Sequence, residues 1–416
     1  MTDAPAHRAR RWLVASAALL VLLAVVAYWG SRPQRVGGWV LGAVGSALGL
    51  EITASGTTEY TLRGEPRLVL RDVVARAPGA RVPVLEAKRV DIAVPWTTVR
   101  SRGATLDFRR IELDAPRIDL PALQAWLASR PEGPKRAFTL REGLRIRDGV
   151  LTGAGWAVEG VALDVPRVQA GQPVNAHLVG RFAQGTTRAP FDLRIDADKP
   201  ANGAALRIAG DVAFEQPART LQAKLRASGP LQIGDEIRIV PLRLSMAARY
   251  TQADLDLPFA FALNGPLRMR GGAVALSPAG VALRGEGVVP DVDGRAAFAY
   301  TKDATLHLDG TLATWPDAWP ALPPPIGQSD APLPFVLDYA GPFDLTSIAR
   351  LRMRRDATTF DGRFRLPDVL AWIDAPPGSP LPPLSGTVHA PQLEVAGAIL
   401  EGVDVRLDDP ALDAAP

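Results

Sequence analysis

The stretch LDLPFAFAL, residues 255–263, decides how the rest of the chain is read. Leu255, Leu257, Phe259, Phe261 and Leu263 take every second position, with Asp256, Pro258, Ala260 and Ala262 between them. Successive side chains of a strand point to opposite faces, so this alternation predicts a strand with one apolar face and one wetter face. The same period extends in both directions. Upstream, Leu221, Ala223, Leu225 and Ala227 alternate, as do Val161, Leu163 and Val165. Leu106 with Phe108, then Ile111 with Leu113, alternate with Asp107, Glu112 and Asp114, and the Arg109-Arg110 doublet shifts the phase as a bulge would. Downstream, Leu267 with Met269, Val274 with Leu276, Val281 with Leu283 and Leu306 with Leu308 continue it. The pairs Asp148-Gly149, Asp293-Gly294, Asp309-Gly310 and Asp361-Gly362 suit tight hairpin turns. From about residue 50 onward the sequence therefore predicts a meander of antiparallel strands, dry on one face and wet on the other.

Other motifs punctuate this pattern. Ser228-Gly229-Pro230-Leu231, Asn264-Gly265-Pro266-Leu267 and Ala340-Gly341-Pro342-Phe343 share one form and read as breaks between stacked units. Two segments share the form L-P-x-Φ-x-A-W-Φ: Leu120 to Leu127 and Leu366 to Ile373. Proline suits the first turn of a helix, so both are predicted as short helices that dock a tryptophan on a sheet face. The stretch WPDAWPALPPPIGQSDAPLP, residues 315–334, is too rich in proline for a sheet interior and is predicted as a surface insertion or lid.

The N-terminus has a different character. After a tail over 1–11 that carries His7, Arg8, Arg10 and Arg11, an uncharged apolar run fills 12–28. At 1.5 Å per residue it is about 25 Å long, enough to cross a thin bilayer. Trp12 at one end and Tyr28 with Trp29 at the other sit where interfacial aromatics belong. The arginines before the run keep the tail cytoplasmic, so 12–29 reads as a transmembrane anchor that sends the rest across the membrane. A cleaved signal peptide ending near Val25-Val26-Ala27 is the competing reading, against which the length of the run argues. Residues 36–49 form a small-residue helical pattern with Val36, Trp39, Val40 and Ala43 on one side. It suits either a plug at the start of the next domain or a helix lying on the outer leaflet, with Trp39 at the membrane interface.

Composition narrows the function. Across 416 residues, 47 basic side chains face 44 acidic ones, so the chain has no basic excess for neutralising nucleic-acid phosphates. Cysteine is absent, which removes disulfides and thiolate metal sites. The four histidines, His7, His177, His307 and His389, are far apart, and no H-E-x-x-H, G-x-S-x-G or phosphate-binding loop occurs. Asp291-Val292-Asp293-Gly294 and Asp196-Ala197-Asp198 lack the remaining ligands of a calcium loop. The sequence thus predicts no catalytic residues, no cofactor and no metal site.

Taken together, the anchor, the small-residue segment behind it and three further stretches resemble the AsmA family and the related TamB-type repeating β-groove proteins of bacterial envelopes. Those stretches are RRIELDAPRIDLPALQAWLASRP, LREGLRIRDGVLTGAGWAVEGVALDV and LPPLSGTVHAPQLEVAGAILEGVDVRL. The resemblance covers most of the chain, and its motifs are strand-turn patterns such as Leu144 to Leu151 followed by Gly160 to Val165. It implies a mainly β fold: a transmembrane helix followed by an elongated, curved antiparallel groove over 50–416 with a few short helices. It also implies a periplasmic, inner-membrane-anchored protein that shields lipid acyl chains and serves outer-membrane biogenesis. The residues expected to line the groove are Leu106, Phe108, Ile111, Leu113, Val161, Leu163, Leu255, Leu257, Phe259, Phe261, Leu263, Leu306 and Leu308. The expected partners are the membrane, lipid acyl chains and other envelope proteins. Three alternatives remain at this point: a closed β-domain filled by its own side chains, a scaffold that influences outer-membrane protein assembly without carrying lipid, and a periplasmic hydrolase, which would need a polar pocket with converging acid and base groups.

Overall fold

The computed structural model describes residues 49–56, 59–61, 66–96, 106–129, 138–234, 236–319, 321–322, 324–342, 345–374, 382–395 and 397–413. The predicted tail, the anchor over 12–29 and nearly all of the segment over 36–49 lie outside these residues. Among the described residues, no helix is long and apolar enough to cross a membrane. The fold is mainly β, and it divides into two compact units.

The first unit takes the described residues up to Ala170 together with Ala176–Gly185. Its strands are β1 (Glu51–Ala54), β2 (Glu59–Thr61), β3 (Arg67–Arg76), β4 (Leu85–Ala93), β5 (Leu106–Phe108), β6 (Arg110–Asp114) and β7 (Arg117–Asp119). Helix α1 (Leu120–Ser129) follows, then β8 (Phe138–Leu140), β9 (Leu144–Thr152), β10 (Ala157–Val165) and β11 (Val174–Gln184). β3 pairs antiparallel with β4, and β4 with β6 and β7. β9, however, runs parallel to β6 and β7, and β5 runs parallel to β8. The predicted all-antiparallel meander is therefore incorrect here. The reason is α1: a helix between β7 and β9 carries the chain back to the starting end of the sheet, and the next strand enters in the same direction. Asp119 starts the helix, its Oδ1 accepting a hydrogen bond from the Ala122 amide at 2.8 Å, with Pro121 in the first turn. α1 buries no residue completely: Trp126 is half-buried and Leu127 is 52% exposed.

The second unit takes Gly171–Asn175 and the chain from Thr186 onward. It contains β12 (Thr187–Ala197), β13 (Ala204–Gln216), β14 (Arg219–Ile233), β15 (Ile237–Gln252), β16 (Leu255–Arg270) and β17 (Ala273–Gly285). β18 (Val292–Tyr300), β19 (Ala304–Leu312), β20 (Leu333–Gly341), β21 (Ile348–Arg355) and β22 (Thr358–Arg365) follow, then helix α2 (Leu366–Asp374), β23 (Leu384–Val395), β24 (Ala398–Leu407) and the short α3 (Pro410–Asp413). Each strand pairs antiparallel with the next, so the predicted meander holds throughout this unit.

The turns are not where the Asp-Gly pairs predicted them. All four pairs lie inside strands: Asp148-Gly149 in β9, Asp293-Gly294 in β18, Asp309-Gly310 in β19 and Asp361-Gly362 in β22. In the second unit, each of these pairs puts its aspartate on the wet face and its glycine on the apolar face, where no Cβ fits. At Gly310 a Cβ would meet the Phe335 ring at 2.7 Å, and at Gly362 it would collide with the Phe360 ring. The tight turns are made elsewhere, for example at Gly271-Gly272, both with positive φ. The glycine-proline breaks behave similarly. Gly229-Pro230 and Gly265-Pro266 lie within β14 and β16 at shifts of register, where the bulged strand is the partner, β15 at Val240-Pro241 and β17 at Ser277-Pro278. A bulge leaves a backbone amide unpaired, which is where a strand accommodates proline.

Candidate functional site

The register of the second unit assembles the alternating residues into rows that cross the strands. One row runs Ile195, Ile208, Ala227, Leu244, Leu263 and Val281 over β12–β17. It continues through Gly294, Gly310, Phe335, Met353, Phe360, Val388 and Val405 to β24. No charged or hydrogen-bonding side chain interrupts these thirteen strands, a path of roughly 60 Å at about 4.8 Å per strand. A second row runs beside it through Leu193, Gly210, Leu225, Met246, Phe261 and Leu283. One residue along each strand the character reverses. Asp196, Arg207, Ser228, Arg243, Asn264, Arg295 and Asp309 stand on the opposite face.

Exposure separates two regions of the apolar face. On β16, Leu255, Leu257, Phe259, Phe261 and Leu263 are all half-buried, while Asp256, Pro258, Ala260, Ala262 and Asn264 between them are exposed. Ile195, Ile208, Leu244, Met246, Val281 and Leu283 are half-buried as well. The neighbouring strands seal their flanks, and their outward ends remain accessible. The fully buried exceptions here are small, among them Ala223 and Ala248. Toward β18–β20 the face is covered. Val292, Leu312, Leu333 and Phe335 are buried, and Trp315, Trp319 and Leu322 of the proline-rich insertion pack on them.

The insertion forms a lid over this part of the face, except that its last two predicted residues, Leu333 and Pro334, belong to β20. Trp315 and Trp319 meet edge-to-face with ring centroids 4.8 Å apart, and Trp319 Nε1 donates to the Val288 carbonyl at 2.9 Å. A 3₁₀ turn, Ile326–Gln328, lies in its second half. Arg355, only 8% exposed, pins that half by donating to the carbonyls of Ala331 and Ile326 at 3.1–3.2 Å. A guanidinium has five donors in a rigid fork, which suits one side chain to holding two loop carbonyls.

The expected lining residues fall into three groups. Leu255, Leu257, Phe259, Phe261 and Leu263 share their face with Leu306 and Leu308 on β19, which pair with Phe298 and Ala296 on one side and Tyr339 and Leu337 on the other. In the first unit, Leu113 and Leu163 belong to the row Leu70, Val90, Leu113, Ile146, Leu163 and Leu178. Ile111 belongs to the neighbouring row Leu68, Ile92, Ile111, Leu144 and Val165, and Val161 sits opposite Gly149 at a register shift of β10. Leu106 and Phe108 are not in line with them. They lie on β5, in a separate two-stranded sheet with β8, because Arg109 bends the chain between β5 and β6. The Arg109-Arg110 phase shift thus marks a change of sheet rather than a bulge within one strand. Trp12, Tyr28, Trp29 and Trp39 lie outside the described residues. Phe335, Met353 and Phe360 join the row without having been expected from the sequence, where Asp361-Gly362 masks the alternation at Phe360 because the pair also suits a turn.

The charged reverse face is extensively paired. In the first unit Asp91, 1% exposed, is gripped by Arg67 at 2.5 and 2.9 Å and by Arg89 at 2.8 Å, and it stands in register with Glu112. Burial pushes the Asp91 carboxyl up, but the Arg67 hydrogen bonds and the charges of Arg67, Arg89 and Arg110 outweigh it and hold the group below the usual carboxylate value. In the second unit Asp338 accepts from His307 at 2.6 Å and Arg352 at 2.9 Å, and these partners lower its pKa. Asp361 is lowered by its two hydrogen bonds from Arg350. His389 pairs with Asp404 at 2.7 Å. Apart from Arg89–Asp91, within β4, these pairs lie across strands, and among the described residues no group of His, Asp and Glu is arranged to hold a metal ion.

Comparison with protein-family models, curated proteins and solved structures gives no match to this chain. The functional reading therefore rests on the geometry above. That geometry can bind something long, flexible and apolar. Row follows row at strand spacing, and among the described residues no buried charge intrudes on the apolar face of β12–β17.

Proposed function

We propose that this protein is an inner-membrane-anchored periplasmic protein of AsmA type. In this reading its apolar β-face carries phospholipid acyl chains in the service of outer-membrane homeostasis, and it performs no catalysis. One observation carries the reading: the apolar row from Ile195 to Val405, whose side chains across β12–β17 remain half-exposed instead of being sealed by the chain's own core. An apolar sheet face left in water is unfavourable, and it gains by acquiring a cover. An acyl chain is a matched cover, since each methylene removed from water contributes about 0.8 kcal/mol. Half-covering a chain of about sixteen carbons is then worth on the order of 6 kcal/mol. The uncharged run at 12–28 and the arginines before it supply the anchor in this reading.

The test uses photo-crosslinking amino acids in the full chain, in bacterial envelopes. Crosslinkers at Phe261 and Leu263 are expected to capture phospholipid, whereas Ala262 and Asn264, one residue away on the reverse face, are not. If all four positions in folded protein capture no lipid, the lipid-handling reading is wrong. Stable protein adducts at Ala262 and Asn264 without lipid at the other two would instead favour an assembly scaffold.

A further inference from the structure

We propose that the hairpin end of β14–β17 is a docking tip for an anionic lipid surface. This goes beyond the acyl-chain reading and does not require it, because a tip can dock whether or not the sheet carries lipid.

The tip collects side chains that water-facing sheet ends ordinarily avoid. Ile233, Ile237 and Met269 stand in one register row at the ends of β14, β15 and β16. They are 60%, 40% and 40% exposed, and Val240 nearby is 44% exposed. Half-exposure along the apolar face can be satisfied by a ligand lying on the sheet. These side chains instead project at its rim, where the cover must come from beyond the strand ends.

The charges beside them have one sign. Arg238 and Arg268 are direct register partners on the reverse face, and Arg270 follows at the end of β16. Like charges directly opposite each other on a sheet repel. Among the described residues Arg268 and Arg270 make no ion pair, whereas Arg249, Arg284 and Arg350 on the same sheet each hold an aspartate. Glu236 answers Arg238 at 3.8 Å, and Asp235, outside the described residues, adds one more acid in the sequence. Toward the opposite ends of these strands acids and bases are paired instead, Asp211 with Lys224, Asp256 with Arg249 and Asp293 with Arg284. A row of exposed isoleucine and methionine with uncompensated arginines directly behind it matches the layering of a membrane surface. The apolar groups enter the acyl boundary, and the cations meet phosphates at headgroup level. Arginine is suited to the second role because its fork binds phosphate oxygens in pairs.

The chain has no cysteine, so single probe sites can be introduced cleanly. The full chain is placed in phosphatidylcholine nanodiscs, with Ile233→Cys carrying an environment-sensitive fluorophore. Vesicles are added, made either of phosphatidylcholine alone or of equal parts phosphatidylcholine and phosphatidylglycerol. The probe at 233 is expected to shift to the blue and become shielded from an aqueous quencher only with phosphatidylglycerol. A probe at Phe214→Cys, at the opposite strand ends, should not respond. Arg268→Gln with Arg270→Gln should weaken the response roughly thirtyfold, since each basic residue near an anionic surface contributes a factor of about five. No response at 233 with the folded protein would overturn the proposal, as would equal responses at 233 and 214 or equal responses to the two vesicle types. Lipid crosslinking at Phe261 can succeed or fail independently of this result.

Discussion

The ring of Phe335 lies over Gly310, its register partner across β19 and β20, so closely that a Cβ on the glycine would fall 2.7 Å from the ring. The two positions form one packing unit on the apolar face: the aromatic ring supplies the surface that the glycine lacks, and the glycine supplies the space that the ring needs. Gly310→Ala is expected to cost about 1–3 kcal/mol through overpacking. Much of that loss should be recovered when Phe335→Leu is combined with it, a coupling measurable as a double-mutant cycle in urea. Gly280→Ala is the contrasting case, because its Cβ would meet only the Asn264 carbonyl at 3.8 Å. That variant should unfold within about 0.5 kcal/mol of the parent.

Removing the carboxylate at Asp91 should be among the most damaging changes to the first unit. Asp91→Ala leaves Arg67 and Arg89 without their shared partner, and the expected loss is about 3 kcal/mol, moderated because both arginines reach solvent. A measured loss below about 0.5 kcal/mol would mean that solvent already screens the group.

The same carboxyl sets an acid limit. Its pKa is lower in the folded chain than in the unfolded chain, as are those of Asp338 and Asp361. The stability these groups contribute is complete above the ordinary carboxylate value of about 4 and drains away as pH falls through their folded values. Denaturation midpoints should therefore decline on acidification from about pH 5 toward pH 3, and less steeply in Asp91→Asn than in the parent.

The lid is held at a few identifiable points, so it should loosen without unfolding the sheet. Arg355→Ala removes every hydrogen bond from that guanidinium to Ala331 and Ile326. Hydrogen exchange across 315–331 should accelerate markedly in this variant while β14–β16 stay protected. Trp319→Ala should in addition increase binding of a hydrophobic dye, because Val292, Leu312, Leu333 and Phe335 lose their cover. Unchanged exchange in Arg355→Ala would show that the tryptophans alone retain the lid.

A charge on the apolar row should act differently from a charge one residue away. Leu244→Asp is expected to reduce binding of a fluorescent fatty acid severalfold, and Arg243→Asp to leave it nearly unchanged. Arg243 and Leu244 are adjacent in sequence and point to opposite faces. Equal effects from the two would mean that the ligand does not distinguish the faces.

Local pattern was sufficient for what depends on local chemistry. The alternation from Leu255 to Leu263 determined strand type and which side is dry, because a period of two places side chains on a face whatever the neighbouring strands are. L-P-x-Φ-x-A-W-Φ determined α1 and α2, since a proline in the first turn and an apolar repeat are properties of the helix itself. The density of proline keeps 315–332 out of the sheet, since proline cannot donate to a ladder, although Leu333 and Pro334 of the same stretch enter β20.

Only the tertiary structure decided what depends on a partner strand. Asp-Gly is compatible with a tight turn and equally with a strand interior in which an aromatic ring covers the glycine; Gly310 takes the second course because Phe335 lies opposite, 25 residues later in the chain. The parallel placement of β9 beside β6 and β7 likewise depends on where the chain returns after α1. Register, too, is a relation between strands and not a property of either. The alternating residues could become one apolar row from Ile195 to Val405 only when thirteen strands aligned.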